Sequence, residues 1–77
     1  MSVEIFPRIT VDPDVMFGKP CIRGMRVRVS DVLDLLAGGA SRGEILEDLP
    51  WLEDEDITAA LAYAARAVGN QIAFAAE

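Results

Sequence analysis

Helix punctuation divides the second half of this chain, and it leaves room for three helices. Ser30 with Asp31 behind it reads as an N-cap and an acidic first turn. Val29, Val32, Leu33 and Leu36 recur at i, i+3, i+4 and i+7, the spacing of one helix face. Gly38-Gly39 stops that helix near Ala37. Ser41 with Glu44 is a capping box, and it opens a short helix carrying Ile45, Leu46 and Leu49 that ends at Pro50. A third helix starts near Asp54 and places Ile57, Leu61, Ala64 and Val68 on one side, with Gly69-Asn70 as its C-cap.

The first half reads differently. Ile9-Thr10-Val11 is β-prone and ends at the turn composition Asp12-Pro13-Asp14. Phe17-Gly18-Lys19-Pro20 is a second break. Met25, Val27 and Val29 then alternate with Arg26 and Arg28, a period of two that predicts a half-buried strand. The expectation is a single domain over 1–77. It comprises an irregular β-element with a basic motif (1–29), a three-helix unit (30–68) and a short C-terminal tail (69–77). In fold class this is a mainly α, helix-turn-helix-like domain preceded by a short N-terminal β-element.

Size and composition narrow the function. A chain of 77 residues buries only about 60% of its unfolded surface. It has one cysteine and no histidine, so neither a disulfide nor a zinc site can support that core. Oligomerisation is the remaining support, and a homodimer, a partner complex or both are expected. No leader peptide or membrane-spanning stretch is read, and the free cysteine fits a reducing compartment, so the expected location is the cytoplasm. Met1–Ser30 holds five basic and three acidic residues, net +2. Asp31–Glu77 holds two basic and ten acidic residues, net −8. The first part suits an anion; the second suits a basic partner or a solvated surface.

Several motifs occur in order. They are Val11-Asp12-Pro13, then Gly18, Lys19, Pro20, Gly24 and Arg26 in a Gly-Lys-Pro-x-x-x-Gly-x-Arg core, and a hydrophobic helix with a Gly-x-Ser turn region. Leu49, Pro50 and Leu52 follow, and then the alanine-rich run Ala59–Ala64. In these the chain resembles the domain of unknown function 433 family over roughly Ile9 to Ala65. The resemblance implies a homeodomain-like trihelical fold. It also implies an antitoxin-like role, similar to the antitoxins of VapBC-type modules, with a PIN-like ribonuclease as partner. Met25 stands where that pattern has a small polar residue, and Glu53 where it has a threonine or serine cap.

Lys19, Arg23, Arg26 and Arg28 are the candidate nucleic-acid or partner-binding residues. Strand positions two apart match the spacing of phosphates, and guanidinium groups bind phosphate bidentately. The alternative is structural, with the arginines paired to Asp12, Asp14 or Asp31. Glu53, Asp54, Glu55 and Asp56 would open a recognition helix with four carboxylates, which disfavours the usual docking of that helix on DNA. They are read instead as helix-dipole partners. No cofactor, metal site or catalytic residue is expected: histidine is absent, and Cys21 reads as a small buried hydrophobe. Trp51, Phe17, Phe74 and Tyr63 are assigned to core or interface, and Ile72 and Phe74 to a dimer or partner seam.

The function so read is an antitoxin-like component that neutralises a PIN-like nuclease and can bind its operator DNA. The nuclease would be blocked by acidic helices, or by Arg23 or Arg26 inserted into its carboxylate metal site. The alternatives are a stand-alone DNA-binding regulator and a dimeric interaction module without nucleic-acid binding.

Overall fold

A computed structural model describes the backbone of residues 1–75 and the side chains of residues 1–69. The chain forms strands β1 (Val3–Phe6), β2 (Ile9–Val11) and β3 (Cys21–Ile22). Helices α1 (Val29–Ala37), α2 (Arg42–Asp48) and α3 (Asp54–Ala75) follow. The strands make an antiparallel sheet in the order β1-β2-β3. Val3 pairs with Val11 and Glu4 with Thr10, then the register shifts so that Phe6 faces Ile9; Ile9 and Thr10 pair onward with Ile22 and Cys21.

This sheet overturns the mainly α, homeodomain-like expectation. The domain is mixed α/β, with a three-stranded sheet built into the same core as the helices. The strands are four, three and two residues long, too short for a period of two to register. The alternating run from Met25 to Val29, expected as a strand, makes a single antiparallel bridge, Arg28 to Cys21, and otherwise bends into α1. Val27 is buried beside that bridge and Val29 at the first residue of the helix, not along a continuous strand.

The helix starts follow from capping. The first residue of α1 is Val29, one before the expected cap, and Arg28 takes the N-cap position. Its N–H donates to Asp31 Oδ2 at 3.0 Å. At α2 the capping box is present: the Glu44 N–H donates to Ser41 Oγ (3.1 Å) and the Ser41 N–H to Glu44 Oε1 (2.8 Å). Helix α3 starts at Asp54 as read, but its backbone continues through Gly69-Asn70 to Ala75. Nothing in the local geometry of Gly69 demands a cap: a Cβ there would meet open space.

The core joins both halves. Ile9, Ile22, Val32, Ile45, Ile57 and Ala60 are fully enclosed. Phe6 packs edge-on against Tyr63, with ring centroids 5.7 Å apart, and ties the β1–β2 hairpin to the middle of α3. Leu52 is buried as expected, but Trp51 and Phe17 do not enter the core; they are 52% and 94% exposed. No helix among the described residues is long and apolar enough to cross a membrane.

Candidate functional site

Two tight turns meet one carboxylate. The β1–β2 hairpin turns through Pro7-Arg8, and Arg8 has φ +69°, the left-handed conformation that a turn of this kind needs after proline. The turn after β3 runs through Arg23 (φ +44°) and Gly24 (φ +74°). It is closed by the Met25 N–H donating to the Ile22 carbonyl at 2.8 Å. Two successive positive φ angles are what a type I′ turn requires. The Arg23 N–H donates to the Arg8 carbonyl (2.9 Å), so the turns lie side by side.

Both arginine side chains then reach Asp56 in the first turn of α3. Arg8 Nη1 donates to Oδ1 at 2.8 Å. Arg23 donates through Nε to Oδ1 (2.9 Å) and through Nη2 to Oδ2 (2.8 Å). The Glu53 N–H, at the N-cap of α3, donates to Oδ2 at 2.8 Å. Arg8 Nη1 also reaches Glu53 Oε1 (2.7 Å), and Arg23 Nη2 the Trp51 carbonyl (3.2 Å). Asp56 is completely buried. A buried carboxylate is tolerated only when its lone pairs are used, and here four donors use them.

These contacts set the charge state. Burial pushes the Asp56 carboxyl up, but hydrogen bonds from Arg23, the Glu53 N–H and Arg8 outweigh it and hold the pKa at about 2. Left-handed backbone costs of the order of 1–3 kcal/mol at a non-glycine residue and persists where the surroundings over-determine it. The shared carboxylate does so here, and it explains arginines in turn positions that ordinarily favour glycine or asparagine.

The candidate cations therefore divide. Arg23 is part of this clasp. Arg28 pairs with Asp31 (Nη2 to Oδ1, 2.8 Å), the structural partner anticipated from sequence. Arg26 and Lys19 are exposed and make no ion pair among the described residues. Ile72 and Phe74 lie outside the residues whose side chains are described. The acidic quartet is more than a dipole partner: Asp56 and Glu53 hold Arg8 or Arg23, and Asp54 accepts from Arg42 Nε at 2.8 Å. Arg8 was missed in the sequence, and Asp56 was read only as a helix-dipole partner. The Pro7-Arg8 pair between two β-prone runs was the available signal for the turn; nothing in the sequence points Arg8 at a residue 48 positions away.

The clasp positions Arg26. Residues 23–26 form a loop closed by the Ile22 N–H donating to the Val27 carbonyl at 2.8 Å, and Arg23 anchors that loop to α3. Arg26 borders an open groove of about 460 Å³ formed with Val27, Asp31, Asp34, Leu35 and Leu49. Beneath the loop, Cys21 is buried and its Sγ donates to the Lys19 carbonyl (3.3 Å); burial, then Asp31, push its thiol pKa up. Among the described residues no three His, Cys, Asp or Glu side chains converge as metal ligands.

The profile of the family described as "Protein of unknown function (DUF433)" matches residues 9–64. The chain belongs to the DUF433 family. The matched segment contains Arg23, the Arg26 loop and Asp56, whereas β1 and Arg8 precede it. A DUF433 relative in sequence is "Uncharacterized protein y4eO" of Sinorhizobium fredii (strain NBRC 101917 / NGR234), 43% identical over 56 residues. The aligned segment is 73% of this chain and 25% of that protein. The crystal structure of a DUF433 member protein from Anabaena variabilis ATCC 29413, at 2.00 Å resolution, superposes with a TM-score of 0.72 at 32% identity. It covers 84% of this chain and 63% of that one. The chain thus spans a quarter of the curated relative and less than two thirds of the structural one.

Proposed function

We propose that this DUF433 chain is an antitoxin-like component of a prokaryotic toxin–antitoxin pair, which binds and neutralises a PIN-like nuclease. The observation that carries this reading is the state of Arg26. It is exposed, it has no ion pair among the described residues, and it sits on an anchored loop beside a groove that Val27, Leu35 and Leu49 line together with Asp31 and Asp34. A guanidinium held in that way is prepared to bind a carboxylate bidentately. Inserted among the carboxylates that hold a nuclease's metal, Arg26 would compete with the metal for them. Val27, Leu35 and Leu49 would take an apolar side chain of the nuclease.

Direct operator binding gains little support. Arg23 and Arg28 are neutralised by Asp56 and Asp31, which leaves Lys19 and Arg26 as the phosphate ligands of the basic motif. Two contacts give a shallow salt dependence and weak attraction from a chain of net charge −6. The test is affinity capture of the tagged chain from its host, with mass spectrometry of the co-purifying proteins. The reading predicts a stoichiometric small nuclease that is lost with Arg26→Glu. A preparation without such a nuclease, or capture indifferent to Arg26→Glu, refutes it.

A further inference from the structure

The groove beside Arg26 holds a second free charge, of the opposite sign. Asp31, Asp34 and Leu35 are spaced three and four residues apart on α1, so they share the helix face that forms its wall. Asp31 is already engaged. Arg28 donates to both of its oxygens, through Nε to Oδ2 (3.2 Å) and through Nη2 to Oδ1 (2.8 Å). Asp34 is exposed and makes no ion pair among the described residues. Arg26 and Asp34 therefore line one groove without meeting each other. Asp34 stands six positions beyond the Arg28 cap, about 9 Å along the axis of α1, and Arg26 precedes that cap. The rest of the lining is apolar: Val27 is buried, Leu49 half-buried and Leu35 36% exposed.

Charge complementarity fixes what can lie there. A segment that covers Leu35 and Leu49 takes water from Arg26 and Asp34 alike. A charge desolvated without a partner works against association, and like charges brought together oppose it further. An apolar segment leaves both groups alone. An acidic segment satisfies Arg26 and is repelled by Asp34. A basic segment does the opposite. A segment that carries both signs around an apolar side chain leaves neither charge without a partner.

We propose that this groove takes a partner segment in which a carboxylate for Arg26 and a cation for Asp34 flank an apolar side chain. The proposal rests on the reading above for the owner of that segment, the PIN-like nuclease. It adds a constraint to that reading: the carboxylate that Arg26 engages has a lysine or arginine close to it in space. Asp34 is then the residue that sets specificity, because it rejects segments that are acidic throughout. The backbone supplies a probe. A short peptide is not helical in water. Extended, it advances about 3.3 Å per residue, so charges three positions apart lie about 10 Å from each other.

Titration of the isotopically labelled full chain with two end-capped tetrapeptides, followed by nuclear magnetic resonance, tests the proposal. One peptide has glutamate, leucine, alanine and lysine in that order; in the other, glutamate replaces the lysine. The expected result is saturable shifts at Arg26, Asp34 and Leu35. The first peptide should bind about threefold more tightly, the gain of one exposed ion pair. Asp34→Lys should reverse that preference. Asp34 is exposed, so circular dichroism should show the variant folded. No saturable binding of either peptide at millimolar concentration overturns the proposal. Equal binding of the two does so as well, as does a preference that Asp34→Lys leaves unchanged. The nuclease reading is tested separately, by capture with Arg26→Glu. A nuclease captured through Arg26 with no peptide preference retains that reading and removes this inference. A peptide preference that Asp34→Lys reverses, with no nuclease captured, retains the chemistry of the groove and removes the nuclease.

Discussion

Replacing Asp56 by alanine should remove a large part of this protein's stability. The substitution leaves two guanidinium groups without their carboxylate, in turns whose left-handed residues depend on it. It also removes the acceptor of the Glu53 N–H at the start of α3. Breaking a buried ion pair from one side costs about 3–5 kcal/mol. The lower figure applies, because the Arg8 and Arg23 side chains are 34% and 36% exposed and can recover some hydration. A domain of 77 residues has a total stability of about 4–11 kcal/mol. A loss of about 3 kcal/mol lowers Tm by about 12–24 °C at this size. Urea unfolding followed by circular dichroism measures it. Trp51, the one tryptophan in the sequence, supplies a second probe at the clasp, since its carbonyl accepts from Arg23. A loss below about 1 kcal/mol, within the range of ordinary surface ion pairs, would refute the claim that Asp56 locks the sheet to α3.

Four further expectations follow from the same geometry. Asp56 has its pKa lowered from 3.8 to about 2. Its charge therefore contributes about 2 kcal/mol above the unfolded pKa, and this is lost as pH falls through about 2. The stability gap between wild type and Asp56→Asn should accordingly narrow on acidification, whereas a constant gap would show that no such linkage exists. Arg28→Ala removes a half-exposed pair with Asp31 and should leave the urea unfolding midpoint close to that of the wild type. Ser41→Ala deletes the cap of α2 and should cost about 1 kcal/mol, read as a lower thermal midpoint. Cys21 should react with a thiol reagent far more slowly in the native protein than in urea, because it is buried with a raised pKa.

The helical half was legible because its signals are local. Ser41, Glu44 and Pro50 act within one turn of the helix they bound, and α2 lies where they put it. In the N-terminal half Ile9–Val11 was legible and is β2; β1 and β3 were not, because short strands are set by pairing across turns. Arg8 is an uncommon residue for a left-handed turn position, and its reason is Asp56, which no window of sequence contains alongside it. The same distance hid the division among the cations. Arg23, Arg26 and Arg28 look equivalent in the basic run, yet one is clasped, one is exposed and one caps α1. Phe17 and Trp51 show the converse limit: aromatic character assigned them to core or interface, and neither enters the core.

A titration of RNA cleavage by the captured nuclease against purified chain tests whether the chain neutralises it through Arg26. Activity should fall to zero at one equivalent of wild-type chain and persist with Arg26→Glu. Undiminished cleavage in excess wild-type chain would contradict it.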